Sequence, residues 1–154
     1  MLRKTIHTFI SYLTVILLIN SLNAQEFKKA SHTNKIYEPS QVRIKGEYEG
    51  GKQQLFKILS SNLEYPTKAL QNHIQGKVIV KFIIEKNGTI TNFEILKDIG
   101  YQCADEIIRV LKKTQARWNS AKINKKRVRS YYILQVNFKI PSDQSKPYIQ
   151  DDNN

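Results

Sequence analysis

One cysteine, three histidines and thirteen carboxylates are the side chains from which this chain would have to build covalent, metal or acid–base chemistry. Their spacing does not build it. His7, His32 and His73 are far apart in the chain, and no two make an H-x-x-x-H pair of the kind that holds zinc. Cys103 has no second cysteine with which to form a disulfide or a redox couple. A helix start would lower its pKa, but with no histidine motif and no second cysteine beside it the expected role is that of a small packed residue. G-x-S-x-G, H-E-x-x-H, a Walker loop and a dinucleotide fingerprint are all absent. The sequence therefore predicts no enzyme, no catalytic residue, no metal and no cofactor. What remains is the chemistry of charge and of exposed backbone.

Charge is abundant. Lysine and arginine number 25, and the formal net charge is +12. Such a balance suits an anionic partner, whether nucleic acid, an anionic membrane surface or an acidic patch on a protein. The densest run is Lys122-Ile123-Asn124-Lys125-Lys126-Arg127. It reads as a solvated loop or as a meeting point for anionic lipid or a receptor.

The N-terminus narrows these choices. Arg3 and Lys4 precede an apolar stretch from Phe9 to Ile19, and Leu22-Asn23-Ala24 offers a small residue before Gln25. This is the layout of a secretory signal peptide over residues 1–24. The apolar stretch is shorter than the roughly 20 residues that span a bilayer. The expectation is export to the periplasm with cleavage of the signal. The alternative is an uncleaved anchor in the inner membrane, facing the periplasm. Either way nucleic acid ceases to be an expected partner.

The remaining elements follow from periodicity. Residues 25–46 are polar and aperiodic and read as a flexible lead-in. Leu55, Phe56, Leu59 and Leu63 share one helical face. Tyr65-Pro66 stops that helix, because the residue before proline avoids the α region, and Pro66 opens a short turn through Ala69 and Leu70. Val78, Val80, Phe82 and Ile84 alternate on a strand. Asn87-Gly88 signals a type I′ hairpin, and Phe93 and Ile95 are expected to face the core on the way back. Ala104, Ile107, Ile108 and Leu111 make a second amphipathic helix, with Asp105 and Glu106 at its start and Lys112 and Lys113 at its end. Trp118 follows as a cap on the core. The last strand alternates Val128, Tyr132, Leu134, Val136, Phe138 and Ile140 with polar neighbours. Residues 142–154 read as a polar tail. The predicted fold is α+β with the order αββαβ: a three-stranded antiparallel sheet with two helices packed on one face, spanning 47–141.

These residues resemble the TonB C-terminal domain family from about Glu47 to Ile140. Glu47-Tyr48-Glu49-Gly50-Gly51 is similar to a variant common in Bacteroidota. Tyr65-Pro66, Ala69 and Gln75-Gly76-Lys77-Val78-Ile79-Val80-Lys81-Phe82 resemble the family's YP…A…GxVxVxF core. Lys86 to Ile90 resembles its hairpin, Ile99 to Glu106 its helix entry, Trp118 its tryptophan, and Val128 to Phe138 its last strand. Two departures stand out. W-x-P-A reads Trp118-Asn119-Ser120-Ala121 here, and Gly-x-Pro-Val reads Lys125-Lys126-Arg127-Val128.

The resemblance implies a role in TonB-dependent transport: gripping a short peptide of an outer-membrane receptor as an added strand, with no enzymatic step. Unpaired N–H and C=O groups on an edge strand give affinity, and side-chain pockets give selectivity. Tyr131 to Phe138 is the expected edge. Arg127 and Arg129 would attract an acidic surface, Tyr65 and Pro66 match a segment near the receptor contact, and Tyr131, Ile133, Gln135 and Asn137 would line the added strand. Tyr65-Pro66 as a mere helix stop, and the strand's alternation as mere core, are the competing readings. An energy-transducing member would carry a membrane anchor and a long Pro-rich spacer, whereas residues 25–50 reach at most roughly 90 Å when extended. A minimal membrane-anchored transducer and a basic, envelope-associated structural protein are therefore the alternatives to a periplasmic binding module. An exposed edge also permits a homodimer by strand pairing.

Overall fold

The computed structural model describes residues 15–21, 34–140 and 148–150. In chain order the elements are helix α1 (15–21), β1 (Ile36–Tyr37), a 3-10 turn (Pro39–Gln41), β2 (Glu47–Tyr48), α2 (Gly51–Asn62), α3 (Thr67–Gln71), β3 (Gly76–Ile84), β4 (Ile90–Lys97), α4 (Cys103–Lys112), β5 (Trp118–Asn119), β6 (Lys122–Ile123), β7 (Lys126–Arg127), β8 (Arg129–Lys139) and β9 (Tyr148–Gln150).

The chain divides after Lys35 into two units. In the first, α1 leaves the side chains of Val15 to Ile19 at least half exposed. No helix among the described residues is long and apolar enough to cross a membrane. The charged start of the expected signal and its Ala24–Gln25 junction lie outside the described residues.

The second unit is built on one sheet. Its strand order is β1-β8-β3-β4, with β9 also paired to β8. The long strands β8, β3 and β4 are mutually antiparallel, as the alternation predicts. The three-stranded sheet is nevertheless incomplete. β1 runs parallel to β8, through Ile36 opposite Arg129 and Tyr37 opposite Ser130, so the sheet is mixed. β9 adds antiparallel pairs at Asn137, Phe138 and Lys139. The segments read as a flexible lead-in and a polar tail thus each contribute strand. Runs of two or three residues are too short to show a period of two, which is why periodicity passes over them.

One face of the sheet carries the core. Val78, Val80, Phe82 and Ile84 of β3 and Leu134, Val136 and Phe138 of β8 are buried there. They join Leu55 and Leu59 of α2 and Ile107, Val110 and Leu111 of α4 in a single cluster. Burying side chains of this size contributes about 1.5–3 kcal/mol each. Trp118 closes the cluster. Its ring meets Tyr48, Phe82 and Tyr132 edge-on at 5.1–5.3 Å between centroids, and its Nε1 donates to Thr114 Oγ1 at 3.1 Å. Phe93 packs on this core as expected, tilted against Phe82 at 5.7 Å. Ile95 does not; it is 45% exposed. The register of β4 on β3 shifts twice, and Asn92 takes a left-handed φ of 51°, yet Ile95 still stands opposite Val80 on the core face; it is exposed because the buried cluster stops short of it on this outer strand.

The hairpin between β3 and β4 also differs in kind. Gly88 has φ +84°, but Asn87 is not in the left-handed region. Gly88 N–H donates to the Glu85 carbonyl and Glu85 N–H to the Thr89 carbonyl. This is a turn closed by a left-handed glycine, the three-residue alternative to type I′. The type I′ pattern occurs elsewhere, between β6 and β7, where Asn124 and Lys125 both have positive φ (48° and 65°).

Candidate functional site

β8 is where exposed backbone and exposed side chains coincide. One of its edges is filled from Gly76 opposite Phe138 to Ile84 opposite Ser130 by β3. The other edge meets β1 only at Arg129 and Ser130, and β9 only at Asn137 to Lys139. Between these two short partners no described strand is registered against β8. The open stretch centres on Ile133 to Val136. The expectation that residues 131–138 form a free edge is thus corrected: β8 lies inside the sheet, and its two ends are closed by the chain itself.

Alternation splits the predicted residues between two faces. Tyr131, Ile133, Gln135 and Asn137 share the face away from the helices, and Ile133 is 44% exposed. Asn137 is already opposite Gln150 of β9 and Lys77 of β3. Tyr131 is half-buried, with the Lys81 ammonium 5.0 Å from its ring centre. Lys81 in turn pairs with Glu94 at 2.6 Å. Nothing local in the sequence connects Lys81 to this row; the antiparallel register, which places it opposite Ile133, makes the connection.

Tyr65 and Pro66 are not part of that row. The Tyr65 ring sits edge-on to Phe138 at 5.2 Å, on the core face, and its hydroxyl donates to the Ile74 carbonyl at 2.5 Å. Burial, with Cys103 nearby, pushes its pKa up to about 12. Tyr65 therefore ties the turn after α2 to β8 from below. Pro66 stands at the N-cap of α3.

The two arginines separate as well. Arg129 is half-buried and grips Glu85 through Nε at 2.7 Å and through its terminal nitrogen at 2.8 Å. Its charge is spent within the domain. Arg127 lies outside β8, in the β6–β7 hairpin, and is exposed. Cys103 is the small packed residue of its two readings. It is fully buried, and burial pushes its thiol up to about 11, opposite to the lowering that a helix start would bring.

A family model described as Gram-negative bacterial TonB protein C-terminal matches residues 61–140, just over half of the chain. The chain belongs to the TonB C-terminal family. No curated protein matches it significantly. Membership makes this a transport-associated, non-enzymatic domain of the cell envelope and ties it to TonB-dependent transport. The matched span opens in the last turn of α2 and includes the whole of β3, β4, α4 and β8. It leaves out β1 and β9, the two segments that close the ends of β8.

Proposed function

We propose that this protein is a periplasmic TonB-like binding module. It takes an extended peptide of a TonB-dependent outer-membrane receptor, or of another envelope partner, as an added strand on β8. The observation that carries this reading is the stretch of β8 around Ile133 to Val136, against which no strand among the described residues is registered between β1 and β9. Backbone N–H and C=O groups there supply affinity regardless of peptide sequence, while Tyr131, Ile133 and Gln135 give a row of alternating side chains for selectivity. The other end of the sheet is a poorer acceptor. β4 has two register shifts and a left-handed Asn92, irregularities that discourage pairing with another strand. Residues 1–24 act as a cleaved export signal, leaving Gln25 as the mature N-terminus.

The test uses receptor-derived peptides in two forms, unmodified and N-methylated at alternate residues. Methylation removes backbone donors while keeping every side chain. Strand addition requires that the methylated form lose binding and that the unmodified form protect from exchange those amides of 133–136 that point away from β3. Equal binding of both forms would show that side chains alone are recognised. Mass spectrometry of the native protein in separated periplasm and membranes tests the signal: retention of residues 1–24 in the inner membrane replaces the soluble module with an anchored transducer.

A further inference from the structure

Lys81, Arg109, Arg117 and Arg129 each have a carboxylate partner. Arg43, Lys45, Lys122, Lys125, Lys126 and Arg127 have none among the described residues, although they crowd one corner. Two segments distant in sequence bring them together. The backbones of Ile44 and Lys122 exchange hydrogen bonds, Ile44 N–H to the Lys122 carbonyl at 3.2 Å and Lys122 N–H to the Ile44 carbonyl at 2.9 Å. This bridge lays the strip 43–45 against the β6–β7 hairpin. Beside it is an open hollow of about 620 Å³ lined by Arg43, Ile44, Lys122, Asn124 and Lys125. A second hollow of about 200 Å³ on the other side is lined in part by Lys45, Lys122 and Arg127, with Glu47 as its sole acid.

We propose that this corner is a docking surface for anionic membrane lipid, with phosphate headgroups held between the two cationic segments. Three features favour lipid over an acidic protein. First, Ile44 stands 55% exposed in the middle of the cations, the combination of apolar tip and basic surround that suits a membrane interface. Second, four of the six cations are lysines, mobile point charges that can follow a shifting array of headgroups. Third, Lys125 holds a left-handed φ of 65° at the hairpin tip. That conformation costs a non-glycine residue stability, and here an exposed cation occupies it at the hairpin tip. Nucleic acid does not fit a domain of the cell envelope. β7 leads through Val128 directly into β8, so lipid held here would sit next to the start of the peptide-accepting strand.

The experiment is flotation of the full chain with vesicles of phosphatidylcholine alone and of phosphatidylcholine mixed with phosphatidylglycerol. The measured quantity is the excess partition onto the mixed vesicles, to which the unchanged N-terminal segment contributes equally in every variant. The wild type shows an excess that falls as salt rises. Replacing Lys45, Lys122, Lys125 and Lys126 with Gln removes it, by up to about fivefold per cation. A control of the same net charge, with Lys57, Lys68, Lys97 and Lys112 replaced by Gln, retains it. Ile44→Ser lowers the excess without changing charge and leaves binding of a polyglutamate peptide unaltered. Equal loss in the two four-lysine variants overturns the proposal, because net charge alone would then explain it. So does polyglutamate binding by the wild type in the absence of any vesicle excess, which would mark an acidic protein site. Trp118 fluorescence reports whether each variant is folded, and the single exposed Lys125→Gln change serves where the fourfold variant is not.

Discussion

Arg129 at the start of β8 holds Glu85 at the end of β3 by two hydrogen bonds, 2.7 and 2.8 Å long. The pair is mostly shielded from solvent, and Thr91 adds a third bond to the same carboxylate at 2.7 Å. Arg129 therefore staples three strands rather than waiting for an acidic partner. The Arg129 hydrogen bond, aided by Thr91 and opposed by burial, lowers the Glu85 pKa. A carboxylate depressed in the folded state stabilises above the ordinary glutamate range and loses that contribution as pH falls through the folded value. Glu85→Gln is thus expected to cost about 1–3 kcal/mol at neutral pH, with the gap to wild type narrowing in acid. Urea melts at neutral pH and below the glutamate range check this; a gap that widens in acid contradicts it.

Gly88 approaches Trp118 closely enough to forbid a side chain. A Cβ built at Gly88 falls 2.4 Å from the Trp118 carbonyl oxygen, and the residue's φ of +84° disfavours any L side chain as well. The clash is with backbone, so no rotamer relieves it. Gly88→Ala is expected to destabilise by more than about 1 kcal/mol and to shift the emission of Trp118, the single tryptophan. Thermal melts followed by fluorescence measure both. An unchanged midpoint would mean that the hairpin moves aside freely.

The elements that the sequence displays are those long enough to show a period. α2, β3, α4 and β8 each repeat apolar residues over at least two turns or several alternations, and the core follows the stripes read from them. What the sequence hides is pairing between short or distant segments. Nothing in Ile36-Tyr37 announces a parallel partner at Arg129-Ser130, and β9 lies in a stretch with no alternation. Which candidate site residues have partners inside the domain is hidden for the same reason. Arg129 looks available until Glu85 is seen across the register. Tyr65 looks like a contact residue until Phe138 is found beneath its ring. The basic run 122–127 was legible as a charge cluster, but its union with Arg43 and Lys45 depends on the Ile44–Lys122 bridge, which no local pattern encodes.

Lys125 gives a stability test that is independent of binding. Its left-handed φ of 65° lies where the family pattern carries glycine. Removing Cβ removes the steric penalty, worth about 1–2 kcal/mol for a non-glycine residue. Lys125→Gly should therefore raise the unfolding midpoint, whereas Lys125→Gln should leave it unchanged. A comparison of the two in urea separates backbone strain from charge. Stabilisation by both would assign the effect to relief of repulsion among the neighbouring cations.

The proposed strand addition at β8 would have a length limit built into the sheet. The six residues between Ser130, which meets β1, and Asn137, which meets β9, span about 20 Å at ordinary strand rise. A peptide of about six residues fills that interval. Each further residue must displace Ile36–Tyr37 or Tyr148–Gln150, exchanging one set of backbone bonds for another at little net gain. Affinity measured by calorimetry over a peptide length series is therefore expected to rise to about six residues and then level. Ending the chain before Tyr148 opens the edge beyond Asn137, so longer peptides should then gain affinity while short ones do not. A wild-type affinity that climbs steadily with length would mean that β1 and β9 yield without cost, and a truncation without effect on long peptides would place the added strand elsewhere than on β8.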